Sequence, residues 1–292
     1  MKLYSLLSFL LFIIVLQASA QYDIVVCGDD KVVILDGKEA EKGDTVIKWR
    51  WQVSEAASIP QQYQKWLFPL DECKSLEKGK KLLLTSSSGG VVLLDVATKK
   101  ILFYAYAPMA HSAAPLPGNK IAVALSTHRK GNSIELYDVS EPEKVLYKDS
   151  LYSGHGVVWN KRRKRVFALG FDVLRCYQLK DAKTMHASLT LEKSWKLPSE
   201  GGHDLYAIDD NFMLITTHDN VYLFDIKKEK FTVFDLLADQ HNVKSVNYNK
   251  RKKRLIYTQA EKSWWAYHVR IKNPDVAIPL PNIKVYKARV IE

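Results

Sequence analysis

Short apolar runs closed by an aspartate recur along the chain: VVILD at 32–36, VVLLD at 91–95, IELYD at 134–138 and VYLFD at 221–225. They are too short for helices and rich in β-formers, so each predicts a buried strand. Asp95 and Asp138 are 43 residues apart, and the interval to Asp225 is about twice that, with a degenerate copy, LRCYQL at 174–179, in its middle. A period near 43 with several strands per period is the signature of a propeller, each repeat being one four-stranded blade.

A second set of copies reads as a polar residue, a short strand, a turn and an apolar strand. They are CKSLEKGKKLLLT (73–85), AHSAAPLPGNKIAVAL (110–125), GHGVVWNKRRKRVFALG (154–170), GHDLYAIDDNFMLIT (202–216) and VKSVNYNKRKKRLIYT (243–258). Aligned on the turn, the polar residues are Lys74, His111, His155, His203 and Lys244, and the final stretch VYKARVIE adds Lys287. That last copy has no strands after it, while YDIVVCG, KVVILDG and TVIKWRWQ near the start have no inner strand before them. Joined, they complete one blade. The expectation is an all-β, six-bladed propeller spanning 21–292, closed by the C-terminal strand, with 54–70 as a crossover.

Innermost strands line the channel of a propeller, so the recurring polar position predicts a ring of Lys287, Lys74, His111, His155, His203 and Lys244. Three imidazoles from adjacent blades suggest a three-histidine site for a divalent metal with open positions, or a base active near neutral pH. Three lysines opposite suit an anion, and Asp204, Glu72 and Asp71 stand beside the ring to relieve its mutual repulsion. The competing expectation is that these side chains bond to protein groups and seal the channel. Loops between second and third strands extend the entrance and offer Asp29, His128, Arg129, His218, Asp219, Glu261 and Trp264. The basic runs KRRKR (161–165) and KRKKR (250–254) fall in turns of the opposite face, as solvated turns or a docking patch for an acidic surface.

Composition narrows the setting. Residues 1–20 have a lysine, an apolar run from Leu6 to Val15 and small residues at Ala18 and Ala20, the layout of a signal peptide cleaved near Ala20. No later segment approaches the roughly 18 apolar residues of a membrane span, so the expectation is a periplasmic or secreted protein. The formal charge of +11 favours polyanionic partners, with nucleic acid the least compatible with export. Cys27, Cys73 and Cys176 are too few for a disulfide framework; Cys27 with Cys73 and three buried thiols are both open. GxGxxG, P-loop, GxSxG, HExxH and CxxC patterns are absent, which disfavours nucleotide binding and the commoner hydrolase mechanisms.

The combination CGDDKVVILD, ECKS, AHSAAPLP, GHGVVW, GGHDL, VKSV and a WW pair resembles a family of secreted β-propeller proteins of Bacteroidota to which no activity is attached. The likeness covers nearly the whole chain after the leader. A weaker similarity is to oligogalacturonate lyases, propellers whose channel histidines bind a metal for β-elimination from uronates; the blade count here is lower and the surrounding ligand motifs differ. The functional expectation is binding of an acidic oligosaccharide or another anionic small molecule, with lyase or hydrolase chemistry at His111, His155 and His203 and carboxylate recognition by Lys74, Lys244 and Lys287. A non-catalytic ligand-binding or protein-interaction scaffold is the alternative.

Overall fold

A computed structural model describes residues 22–238 and 240–291; the leader expected at 1–20 lies outside the described residues. Twenty-four strands form six four-stranded antiparallel sheets. In five blades the strands follow chain order outward from the axis, beginning with the inner strands Leu70–Leu76, Ala110–Leu116, Gly156–Asn160, Asp204–Ala207 and Val243–Asn249. In the sixth, Val285–Ile291 is the inner strand of a sheet continued by Asp23–Gly28, Lys31–Asp36 and Ile47–Gln52. Chain closure therefore has the form the sequence predicts, and the crossover at 54–70 carries the short helix Gln61–Lys65.

The apolar runs have their period because each sheet is covered on both faces. In the second strand Lys81–Ser86, Leu82 and Leu84 pack with Val25 and Val32 of the closing blade, whereas Leu83 packs with Val123 and Ala113 of the next. Alternate side chains thus feed two interblade cores, and the strand reads as continuous apolar sequence. The terminal aspartates are turn formers. Asp36 accepts from the Lys38 and Glu39 amides, Asp95 from the Thr98 amide and hydroxyl, Asp138 from the Ser140 amide and Asp225 from the Lys227 and Lys228 amides. A short carboxylate satisfying amides two or three residues on is a local turn device, so their recurrence needs no ligand.

Antiparallel meanders put second-to-third loops and first-to-second turns at opposite ends. The face at which the chain enters the inner strands carries the former; both basic runs lie on the other face. Cys27, Cys73 and Cys176 are all free and buried. Among the described residues no helix is long and apolar enough to cross a membrane.

Candidate functional site

Strand registers define which residues share a level of the channel. Pairing slips by one residue between Leu70 and Glu72, between Ala110 and Ser112, between Val243 and Ser245, and between Lys287 and Val285. These bulges push Asp71, His111, Lys244 and Tyr286 out of the ladder. In the remaining two blades the same place is taken by His155 and His203, whose amides bond to Leu169 O and Thr216 O at 2.9 and 2.8 Å. The level nearest the entry face is therefore Asp71, His111, His155, His203, Lys244 and Tyr286. Lys287 lies one level deeper beside Glu72 and Asp204, and Lys74 and Arg289 lie deeper again.

Those deeper levels form an ionic plug. The Arg289 guanidinium bonds Glu72 through Nε and Nη2, both at 2.7 Å, and Asp204 through Nη1 at 2.8 Å and Nη2 at 2.6 Å. Lys287 Nζ sits 3.1 Å from Asp204 and 3.5 Å from Glu72. Burial by itself raises both carboxyls, but Arg289 and Lys287 outweigh it, holding Glu72 down to about 2 and Asp204 well below the usual carboxylate range. Lys74 bonds Ser112 Oγ at 3.0 Å and Val157 O at 2.6 Å, and opens to the far mouth of the channel. Glu72, Asp204, Lys287 and Lys74 are thus engaged by protein groups, which close the channel below the entry level.

Above the plug is a chamber of about 420 Å³ walled by the entry-level residues and by second-to-third loops. His111, His155 and His203 follow one another around it, with ring centroids 4.4 and 5.5 Å apart, and His218 stands 4.8 Å from His203. Trp264, Trp265 and Tyr286 form the opposite wall. Nδ1 of His111 and of His155 each lie 2.9 Å from the carbonyl two residues earlier, Met109 O and Ser153 O. A neutral imidazole must donate there, so each leaves Nε2 as an acceptor. Burial lowers His111 to about 4, and burial together with His111 holds His155 well below its ordinary value, so both are neutral at pH 7.

His203 has the opposite polarity. Lys244 Nζ donates to its Nε2 at 2.9 Å, which places the proton on Nδ1, and that buried Nδ1 has no hydrogen-bond partner among the described residues. An unmet buried donor of this kind costs about 1–3 kcal/mol. Lys244 itself stays behind the wall, with Trp264 over it at 5.3 Å, and burial followed by the Lys287 charge lowers it to about 8. Asp71, which accepts from the Ser87 amide, is raised by burial to about 7. Three buried cations, Lys244, Lys287 and Arg289, with the half-buried Lys74 below them, thus face Glu72, Asp204 and an Asp71 whose carboxyl is raised into the neutral range.

Of the residues singled out from sequence, His111, His155, His203, His218 and Trp264 converge on the chamber. His128 does not; its Nδ1 accepts from the Lys130 amide within its own exposed loop. Among the described residues no group of three or more His, Cys, Asp or Glu side chains is placed to hold a metal, and with His203 Nε2 taken by Lys244 the three imidazoles present no common ligand point. Tyr286, Trp265, Ser126 and the plug residue Arg289 were not among the candidates. A signal for Arg289 existed, since it stands two residues from Lys287 in an otherwise apolar strand and must face the same way.

Comparison with known proteins adds the architecture and a family. No curated protein matches the sequence. A solved structure, the C-terminal WD40 domain of Sif2, aligns over 89% of this chain and 66% of its own length, at 10% identity and a TM-score of 0.52. The chain thus spans slightly less than two thirds of that domain, and the likeness is one of propeller fold. The family model described as "Family of unknown function (DUF6528)" matches residues 1–292, the whole sequence, and the chain belongs to that family.

Proposed function

We propose that the protein, exported by its leader, binds an acidic oligosaccharide of uronate type in the entry chamber. The observation that carries this is the set of unpaired groups in one place: two imidazole acceptors at His111 and His155, an unmet donor at His203 Nδ1, and indoles opposite. Sugar hydroxyls donate to the two Nε2 atoms, a ring face stacks on the Trp264 and Trp265 side, and a carboxylate oxygen accepts from His203. The excess of buried cations beneath the chamber favours an anion, since charges in a low-dielectric interior act over several ångströms. The oxygen-rich ligand also explains why no lysine needs to enter the wall.

A β-elimination at this site would draw on Asp71 more readily than on His111. A carboxylate with a pKa about 7 is matched to proton transfer near neutrality, whereas an imidazole held at about 4 is a weak base. Calorimetric titration with oligogalacturonate, beside the neutral galactose oligomer, tests the binding step. Wild type binds the acidic oligomer, and His155→Ala and Trp264→Ala each weaken it by about tenfold or more, with stability changed by only about 1 kcal/mol in the exposed Trp264 variant. Absence of binding, or binding untouched by both substitutions, overturns the reading. The same mixtures, followed by ultraviolet absorption of an unsaturated product, separate a lyase from a binding protein.

A further inference from the structure

The far face of the propeller holds a second recess, unrelated to the histidine chamber and sealed from it by the Arg289 plug. Its inner part is the channel mouth, about 320 Å³, with Lys74 and Arg289 at the floor. Its outer part, about 590 Å³, lies between the blades that begin with Ala110–Leu116 and Gly156–Asn160, under the basic turn at 161–165. Pro115 and Trp159 wall both parts, so the two are one radial groove from the axis to the rim. Gly118 shapes the outer end: its φ is +73°, and a Cβ there would meet Ala182 O at 2.0 Å. The turns of the two blades therefore touch at this glycine, where a side chain has no room.

The chemistry of the groove is divided along its length. The walls are apolar, with Leu116, Pro117 and Leu179 joining Pro115 and the half-buried Trp159. The rim carries Lys161 and Lys164, both exposed, and among the described residues neither ammonium has an acidic partner, although Arg165 is paired with Glu192. At the inner end the Lys74 ammonium is held by Ser112 Oγ and Val157 O, so the free positive charge of the groove lies at its rim. A polysaccharide would meet few hydrogen-bonding groups on these walls. An extended peptide offers apolar side chains for them and carboxylates for the cationic rim.

We infer that this groove docks an extended acidic peptide segment with alternating apolar residues, the aromatic anchor being Trp159 and the charge contacts Lys161 and Lys164. The site is independent of the chamber, and its failure leaves the chamber untouched. Fluorescence anisotropy of the full chain with a labelled short peptide alternating glutamate and leucine is the test, with oligogalacturonate as competitor. Saturable binding is expected, weakened about tenfold or more by the double substitution Lys161→Glu, Lys164→Glu and by Trp159→Ala, and unchanged by His155→Ala. Because Lys161 and Lys164 are exposed, their variant keeps the fold and remains informative should Trp159→Ala unfold. No binding of the peptide, undiminished binding by the lysine variant, or full displacement by oligogalacturonate would each overturn the assignment.

Discussion

Replacing Arg289 by methionine lowers stability at pH 7 by about 3–5 kcal/mol, the cost of removing one partner from a buried ion network. At about 2–4 °C per kcal/mol for a chain of this size, the thermal midpoint falls by roughly 10 °C. The loss is large because Glu72 and Asp204 are fully buried and each depends on two bonds from one guanidinium. Lys287 alone cannot neutralise both. The sign with pH follows. In the wild type the two carboxyls are depressed below their unfolded values, so they contribute stability above about pH 4, and it is lost as pH falls toward about 2. In the variant one carboxyl must take up a proton on folding, so its deficit relative to wild type shrinks on acidification from pH 7 toward pH 4. Urea midpoints across that range read the result, and an unchanged midpoint at pH 7 would show that the plug is dispensable.

The same plug shows where sequence is a good guide to this fold and where it is not. Blade count and closure were legible because the blades repeat one local requirement, second and third strands covered on both faces, and four of them close it with an aspartate turn. The copy at Val221–Asp225 and the incomplete copies at the two ends obey it as fully as those in the middle. The ring was legible only in part. His111, His155, His203 and Lys244 share a level as their spacing implies, but Lys74 and Lys287 do not. Alignment on the turn matched Lys74 to Lys244, whereas strand pairing matches Asp71 to Lys244. A bulge inserts one residue without disturbing local composition, so the displaced residues Asp71 and Tyr286 left no mark in the pattern. Hydrogen-bond polarity was hidden for another reason. Whether a histidine donates or accepts depends on its neighbours in space, and Lys244 reaches His203 from the neighbouring blade.

Affinity for oligogalacturonate falls by about tenfold or more between pH 6 and pH 9, while affinity for the neutral galactose oligomer stays flat. Two groups set this slope and act in the same direction. Asp71, raised by burial to about 7, becomes anionic as pH rises and repels a carboxylate in the chamber. Lys244, lowered by burial and by Lys287 to about 8, then loses the positive charge that lies behind His203 and fixes its proton on Nδ1. Among the other chamber groups, His111 and His155 are neutral throughout this window, and burial raises the Tyr286 phenol far above it. Loss of a charge-assisted interaction of about 1.5–3 kcal/mol gives the expected magnitude. Asp71→Asn removes the lower step and Lys244→Met the upper one, and Lys244→Met also weakens binding at pH 6. That variant keeps its stability or gains some, since the ammonium it removes is buried without a carboxylate partner among the described residues. A wild-type affinity independent of pH between 6 and 9, or a Lys244→Met variant with the full wild-type slope, would show that the buried charges beneath the chamber do not reach the ligand, and would leave a site recognising sugar shape through its histidines and indoles alone.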